Sequence, residues 1–239
     1  VVACAKDQEP AKPAAAEESS FEVWAVDQSS TGSYGTGGLI FICDGADISA
    51  NASEAPPEII DLAKAAVEAG CEAPKKPHMV LSNHTTPKAS HVVLANVGSG
   101  DTFFINIESR TIVGCVNTIG GFNGAGGTAN AHASVASPDN SIAIVANIGA
   151  KGESGFLHKI HTDYTNDDYK LVETLSLDQF SSELGTSVTR PICHEFTEDS
   201  HFAFVTLAGG GPLSVDEGSS VGTPPMTAVT AYDKHSVPG

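Results

Sequence analysis

The stretch AHASVASPDNSIAIVANI (residues 131–148) decides the fold, because it is not alone in the chain. Aligned on its Pro-Asp turn, it matches PKASHVVLANV (87–97) upstream and EDSHFAFVTLA (198–208) downstream. Ala95-Asn96 falls on Ala146-Asn147, and Asp139 falls on Asp199. Each copy runs strand, turn, β-rich strand, Gly-rich turn, strand. Third strands are TFFINIES (102–109), GFLHKIHT (155–162) and GPLSVDEG (211–218); fourth strands are RTIVGCVNT (110–118), YKLVETLSL (169–177) and PMTAVTAYD (225–233). Phe103, Ile105 and Ile107 alternate along one face, as a half-buried strand requires. Four short strands per unit, repeated at roughly 40 to 60 residues, is the pattern of a β-propeller blade. One such sheet cannot bury both faces by itself, and stacking blades around an axis solves that problem.

FEVWAVDQSS (21–30) and GGLIFICDG (37–45) read as an earlier, partial blade. In PPEIIDLAKAAVEAG (56–70) the β pattern stops. Ile59, Ile60, Ala63, Ala66 and Val67 make a helical stripe, opened by Pro56 and Pro57 and followed by Gly70, so one linking helix is expected there. The expected fold class is all-β, a propeller with about four blades in view and one short helix. Residues 1–20 form a tether and residues 21–239 the propeller domain, read as part of a longer ring of about seven blades, the alternatives being closure by an unusual route or pairing of the exposed edge with another chain.

The chain of 239 residues has 12 basic and 29 acidic side chains, a formal charge of −17. Nucleic acid and anionic lipid are excluded as main partners by repulsion. No run of 18 apolar residues offers a membrane span. The N-terminus reads Val1-Val2-Ala3-Cys4 and then a polar, Pro-containing tail, which looks like the end of a bacterial lipoprotein signal. On that reading Cys4 carries the lipid and provides the only membrane contact. The protein is then exported, periplasmic or on the cell surface. Cys43, Cys71, Cys115 and Cys193 remain, enough for two disulfides in any of three pairings, with Cys43–Cys71 preferred.

PHMVLSN (77–83), residues 90–116, the opening stretch, residues 190–211 and the helix together resemble exported bacterial propellers of the YVTN-repeat type, related to the propeller domain of nitrous oxide reductase. The resemblance spans residues 21–233 and implies a fold, not a reaction. The copper-ligand motif of nitrous oxide reductase has no counterpart here. A fainter similarity is to periplasmic zinc chaperones built on propellers.

First strands of blades line the central channel, and here they begin PHMVLSN, AHASVAS and PICHEFT. Each brings a histidine near its start: His78, His132 and His194. Three imidazoles suit Zn²⁺ or Cu²⁺, and the adjacent Met79 or Cys193 would suit Cu⁺. His91 and His84 are second-rank candidates, and His158 and His161 read as surface or edge groups. Against a metal, His132 aligns with Ile192 and not with His194, and a one-residue offset turns a side chain to the other face. Asp163 to Asp168 reads as an outer hairpin turn. Gly120 to Gly127 reads as an inter-blade loop with no phosphate-binding Lys-Ser/Thr after it. No nucleophile elbow is present, so no catalytic residue is assigned. The leading expectation is a non-enzymatic cell-envelope module that binds a protein partner or a small ligand. A periplasmic Zn or Cu protein is the first alternative, and a redox or hydrolytic enzyme the second.

Overall fold

The computed structural model describes residues 21–51 and 53–208, and the backbone of 230–233. Cys4, the tether and GPLSVDEG lie outside the described residues. Four antiparallel sheets follow one another along the chain. Blade A holds β1 (Glu22–Val26), β2 (Leu39–Asp44) and β3 (Glu58–Asp61), with α1 (Gly45–Asn51) between the last two and α2 (Leu62–Glu68) after them. Blade B holds β4 (Pro77–Ser82), β5 (His91–Asn96), β6 (Asp101–Asn106) and β7 (Ile112–Asn117). Blade C holds β8 (Ala131–Ala136), β9 (Ile142–Asn147), β10 (Phe156–Asp163) and β11 (Asp168–Ser176). Blade D holds β12 (Pro191–Phe196), β13 (Phe202–Leu207) and β14 (Thr230–Asp233). Within every sheet the strands pair in chain order, as in a meander. The first strands β1, β4, β8 and β12 pack in succession and form the inner edge of the arc.

The segment 56–70 is not one helix. Ile59 and Ile60 join the sheet of blade A opposite Phe41 and Ile40. Asp61 then accepts from the Lys64 N–H as an N-cap, and only Leu62–Glu68 is helical. A pair of β-branched residues followed by an Asp favours a strand that ends on a cap, and the apolar stripe read as helical belongs half to each element. PMTAVTAYD also changes place: its Thr230–Asp233 part pairs with β13 as a third strand.

The repeated turn has a repeated cause. Ser137 Oγ donates to the Asp139 carboxylate at 2.6 Å, and Asn140 takes the left-handed conformation at φ 59°. In blade D, Thr197 Oγ1 donates to Asp199 at 2.5 Å, and Ser200 sits at φ 62°. The expected hairpin at Asp163 to Asp168 is present, with Asn166 Nδ2 donating to Asp163 at 2.7 Å.

Alternation along the second and third strands builds the joints. Ile40, Ile42 and Ile60 of blade A meet Val92, Leu94, Phe103 and Ile105 of blade B. Val93 and Phe104 on the other face of blade B meet Ala143, Val145 and Ile160 of blade C. Ile142, Ile144 and Ala146 on the other face of blade C meet Ala203, Val205 and Leu207 of blade D. Joint A–B also carries a disulfide between Cys71, just after α2, and Cys115 on β7. The preferred Cys43–Cys71 pairing is therefore corrected. Cys43 is a blade A residue on the face away from this joint, beside Val23, and both Cys43 and Cys193 are free thiols.

Candidate functional site

Each inner strand of blades B, C and D breaks its register at one residue. The shift falls between Pro77 and Met79, between Ala131 and Ala133, and between Pro191 and Cys193. The bulged residues are His78, His132 and Ile192. A bulge leaves one residue out of the ladder and re-aims its side chain. His78 and His132 therefore turn toward each other across adjacent blades.

The result is a single hydrogen-bonded line through all four blades. Gln28, just after β1, lies 2.8 Å from Nδ1 of His78. Nε2 of His78 lies 3.1 Å from Nε2 of His132, and the rings meet edge to face at 4.3 Å. Nδ1 of His132 lies 2.8 Å from the carbonyl oxygen of Ile192. That carbonyl can only accept, so His132 Nδ1 carries a proton. In the neutral ring its Nε2 is then a lone pair, to which His78 Nε2–H donates. His78 Nδ1 in turn accepts from the Gln28 amide. Burial first, and the neighbouring His78 second, push the His132 pKa below the ordinary imidazole value; the Ile192 carbonyl opposes them. His132 is thus held neutral with its basic nitrogen toward a half-buried partner.

A cleft of about 450 Å³ opens beside this line, lined by Ser30, Thr36, Lys75, Lys76, Gly98 and Asn130, among others. Lys76 and Asn130 stand two residues before His78 and His132. The rings themselves do not line the cleft; they sit one step further along their strands. The lysines are held at its wall by their backbones: Val97 N–H donates to Lys76 O at 2.9 Å, and Gly98 N–H to Lys75 O at 2.8 Å. Two adjacent cations are notable in a chain with 12 basic residues and a charge of −17.

The structure brings His78 and His132 together and leaves the other candidates elsewhere. His194 is buried in blade D beside Phe196, and burial pushes its pKa down to about 4 against a favourable contact with the Ile144 backbone. His158, expected at a surface or edge, is fully buried; its Nδ1 bonds Thr174 Oγ1 at 2.9 Å, and burial pushes it to about 4. His91 is buried between Ser90 and Asp167, at the opposite end of β5 from Asn96. The His84 backbone N–H donates to Asn140 in the turn of blade C. Met79 and Cys193 pack against the core of joint C–D. Among the described residues, no group of three His, Cys, Asp or Glu side chains converges. Gln28, Lys75, Lys76 and Asn130 were not anticipated. The one trace in the sequence was the alignment of His132 with Ile192, which marks equal bulge positions.

No family model and no curated sequence matches the chain. Solved structures do. A periplasmic gluconolactonase from Pseudomonas aeruginosa matches with a TM-score of 0.51 at 16% identity, over 78% of this chain and 52% of its own. A protein described as a 6-phosphogluconolactonase from Bacteroides uniformis matches at 0.49 and 14% identity, over 78% and 47%. The β-propeller domain of Cps50 (Swd1) from Myceliophteria thermophila matches at 0.46 and 8% identity, over 71% and 46%. The chain spans about half the length of these structures. The Pseudomonas structure is an enzyme of this architecture, which overturns the expectation that the architecture marks a non-enzymatic binding or scaffold module. No helix among the described residues is long and apolar enough to cross a membrane. At these identities the likeness concerns the fold, and the fold it supports is the β-propeller.

Proposed function

We propose that the inner edge of the arc is a hydrolytic site for a small cyclic ester of a polyhydroxylated acid, with the His78–His132 pair as its base. The observation that carries this reading is the imidazole pair itself, Nε2 to Nε2 at 3.1 Å, with His132 held neutral by burial and both rings one step along their strands from a lysine-lined cleft. The Pseudomonas gluconolactonase, named for such a substrate, supports it. Water adds to the ester carbonyl carbon, and its proton passes to His132 Nε2 once the His78 ring turns aside and frees that lone pair. The ring C–O bond then breaks, and the released alcohol oxygen takes the proton back, leaving the open hydroxy acid. Lys75 and Lys76 supply positive charge near the oxygen that becomes negative during addition. Such general-base catalysis contributes about 10²–10⁴-fold.

The test is acid release from glucono-1,5-lactone at constant pH. His132→Gln should lower kcat by about 10²-fold or more while leaving the melting temperature within a few degrees. A rate no greater than spontaneous hydrolysis, or a His78→Gln/His132→Gln variant as fast as the parent, rejects the reading. We propose further that the protein is exported, in the YVTN-type group, because a disulfide such as Cys71–Cys115 persists in oxidising compartments.

A second reading has one observation in its favour. Two Nε2 atoms 3.1 Å apart, each on a ring whose Nδ1 is held by the protein, have the spacing of two imidazoles on one Zn²⁺ or Cu ion. Calorimetric titration with Zn²⁺ decides it: binding that His132→Gln abolishes supports it, and no heat of binding rejects it.

A further inference from the structure

A second cluster of titratable and nucleophilic side chains lies at the other end of β5, on the seam between blades B and C. Its centre is His91, which is 2% exposed. Nδ1 of the ring lies 2.8 Å from Ser90 Oγ, and Nε2 lies 3.3 Å from Asp167 Oδ1. Ser90 and His91 stand at the start of the second strand of blade B, and Asp167 stands in the turn between β10 and β11 of blade C. The joint between the blades brings the three together from distant parts of the chain.

Asn83 and Asp167 set the direction of these hydrogen bonds. Asn83 Oδ1 accepts from the backbone N–H of Ser90 at 3.0 Å and of His91 at 3.1 Å. That orients the amide, and its Nδ2 donates to Ser90 Oγ at 3.0 Å. A carboxylate can only accept, so the His91 nitrogen that faces Asp167 carries a proton. Burial holds the ring below the ordinary imidazole value, against the pull of Asp167, so at neutral pH it carries that proton alone. His91 Nδ1 is then a lone pair, and the proton it accepts is that of Ser90. The contact with Asp167 falls short of a formed hydrogen bond in the resting state. It gains most when the ring becomes a cation, which is what the carboxylate of a triad provides. Ser90 is only half-buried and follows the exposed segment 86–88, which leaves it a path to solvent.

We propose that Ser90, His91 and Asp167 form a nucleophilic site that takes the acyl group of a small carboxylic ester. Ser90 Oγ adds to the ester carbonyl carbon as its proton passes to His91 Nδ1. The bond from that carbon to the alcohol oxygen breaks, and His91 gives the proton to the leaving alcohol. Water then adds to the acyl-serine, passing a proton to His91 Nδ1. The bond between Ser90 Oγ and carbon breaks, Ser90 regains the proton, and the free acid leaves. Asn83 Nδ2 already points at Ser90 Oγ and serves as a donor to the oxygen that becomes negative. The ring works with Nδ1 toward the serine and Nε2 toward the carboxylate; a triad is defined by geometry and roles, and either nitrogen takes the proton. Half-burial of Ser90 restricts the ester to a short acyl group. The inference does not rest on the hydrolytic reading, whose histidines stand at the Asn96 end of the same sheet.

The experiment is labelling of the 239-residue chain with a fluorophosphonate, followed by intact mass and peptide mapping. In that reaction a Ser90 Oγ–P bond replaces the P–F bond, with loss of HF. One adduct, on Ser90, is expected in the folded protein and none in urea. His91→Gln should slow labelling by about 10²-fold or more, and Asp167→Asn by about 10-fold or more. Asn accepts the left-handed φ of 53° at Asp167, whose side chain is 44% exposed, so this variant decides the matter if the His91 variant does not fold. The parent's labelling rate should rise with pH as His91 loses its second proton. Asp167→Asn should move that rise to lower pH, since the carboxylate favours the charged ring. Tyr164 and Tyr169, which pack against His91 and Asp167, are held above the ordinary tyrosine value by burial and stay neutral throughout. No adduct on Ser90 overturns the proposal. So does equal labelling in urea, or Asp167→Asn labelled at the parent's rate with the parent's pH profile. Labelling of Ser90 in a protein that leaves glucono-1,5-lactone intact would uphold this site while the hydrolytic reading falls.

Discussion

The second strands of blades C and D, IAIVAN (142–147) and FAFVTL (202–207), have the same pattern and opposite surroundings. Every residue of the first is buried. The second alternates between buried and exposed. Both strands put apolar side chains on both faces, which is how a strand reads when it lies between two blades. The difference lies outside them: among the described residues, β9 has a blade on each side, and β13 has one only on the side of Ala203, Val205 and Leu207. Burial in this architecture is thus a property of the joint, and the strand sequence states what the joint requires even where it is unfilled.

The sharpest way to break that comparison is one substitution at equal positions. Ile144→Lys puts an unpaired charge into the C–D joint and should cost more than about 4 kcal/mol, enough to prevent folding. Phe204→Lys, studied at about 1 µM, should stay within about 0.5 kcal/mol by urea denaturation. Equal losses at the two sites would show that the face of blade D is already covered within the chain.

The joints also differ among themselves. A–B is closed by Cys71–Cys115 across 44 residues of chain, while B–C and C–D have no such link among the described residues. Cys71→Ser/Cys115→Ser should lower stability by about 3–4 kcal/mol, read as a shift of the urea midpoint. A smaller loss would mean that side-chain packing alone sets the strength of every joint.

Acid should act on blades C and D next. His158 and His194 are pushed to about 4 in the folded protein from an ordinary 6.5. Between those values the unfolded chain binds more protons than the folded one. Stability is therefore full above about pH 6.5 and falls as the pH drops toward 4, by roughly 3 kcal/mol for each ring. His194→Gln should flatten the urea midpoint against pH across that window; an unchanged slope would show that the ring is protonated in the fold. The smallest effect belongs to the buried hydroxyl pair Thr102–Ser134, 2.7 Å apart across joint B–C. Thr102→Val should cost about 1–2 kcal/mol, and Thr102→Val/Ser134→Ala less than that, since no polar group is left unpaired.

The blades were legible because alternation and the Ser/Thr-Pro/Glu-Asp turns repeat with them. Ile59 and Ile60 were misread because four residues of strand leading into seven of helix leave too short a run for either period to dominate. The histidines at the starts of inner strands were readable in the sequence, and two of them, His78 and His132, stand side by side in the structure. Choosing His194 as the third ring missed the equivalent position, because a bulge adds a residue that a simple alternation does not count. Ile192 holds that place, and it takes part through its backbone carbonyl, which no side-chain pattern can reveal. Gln28 and the two lysines lie in segments between strands, where the repeat gives no register to read.

The bond from His132 to the Ile192 carbonyl crosses from blade C to blade D. The proton on His132 Nδ1 therefore records whether those two blades are docked. If blade D peels away, nothing fixes that tautomer, and the ring reverts to the mixture of a free imidazole. A nitrogen NMR signal from His132 would then report blade separation from inside the channel, well before the strands themselves melt.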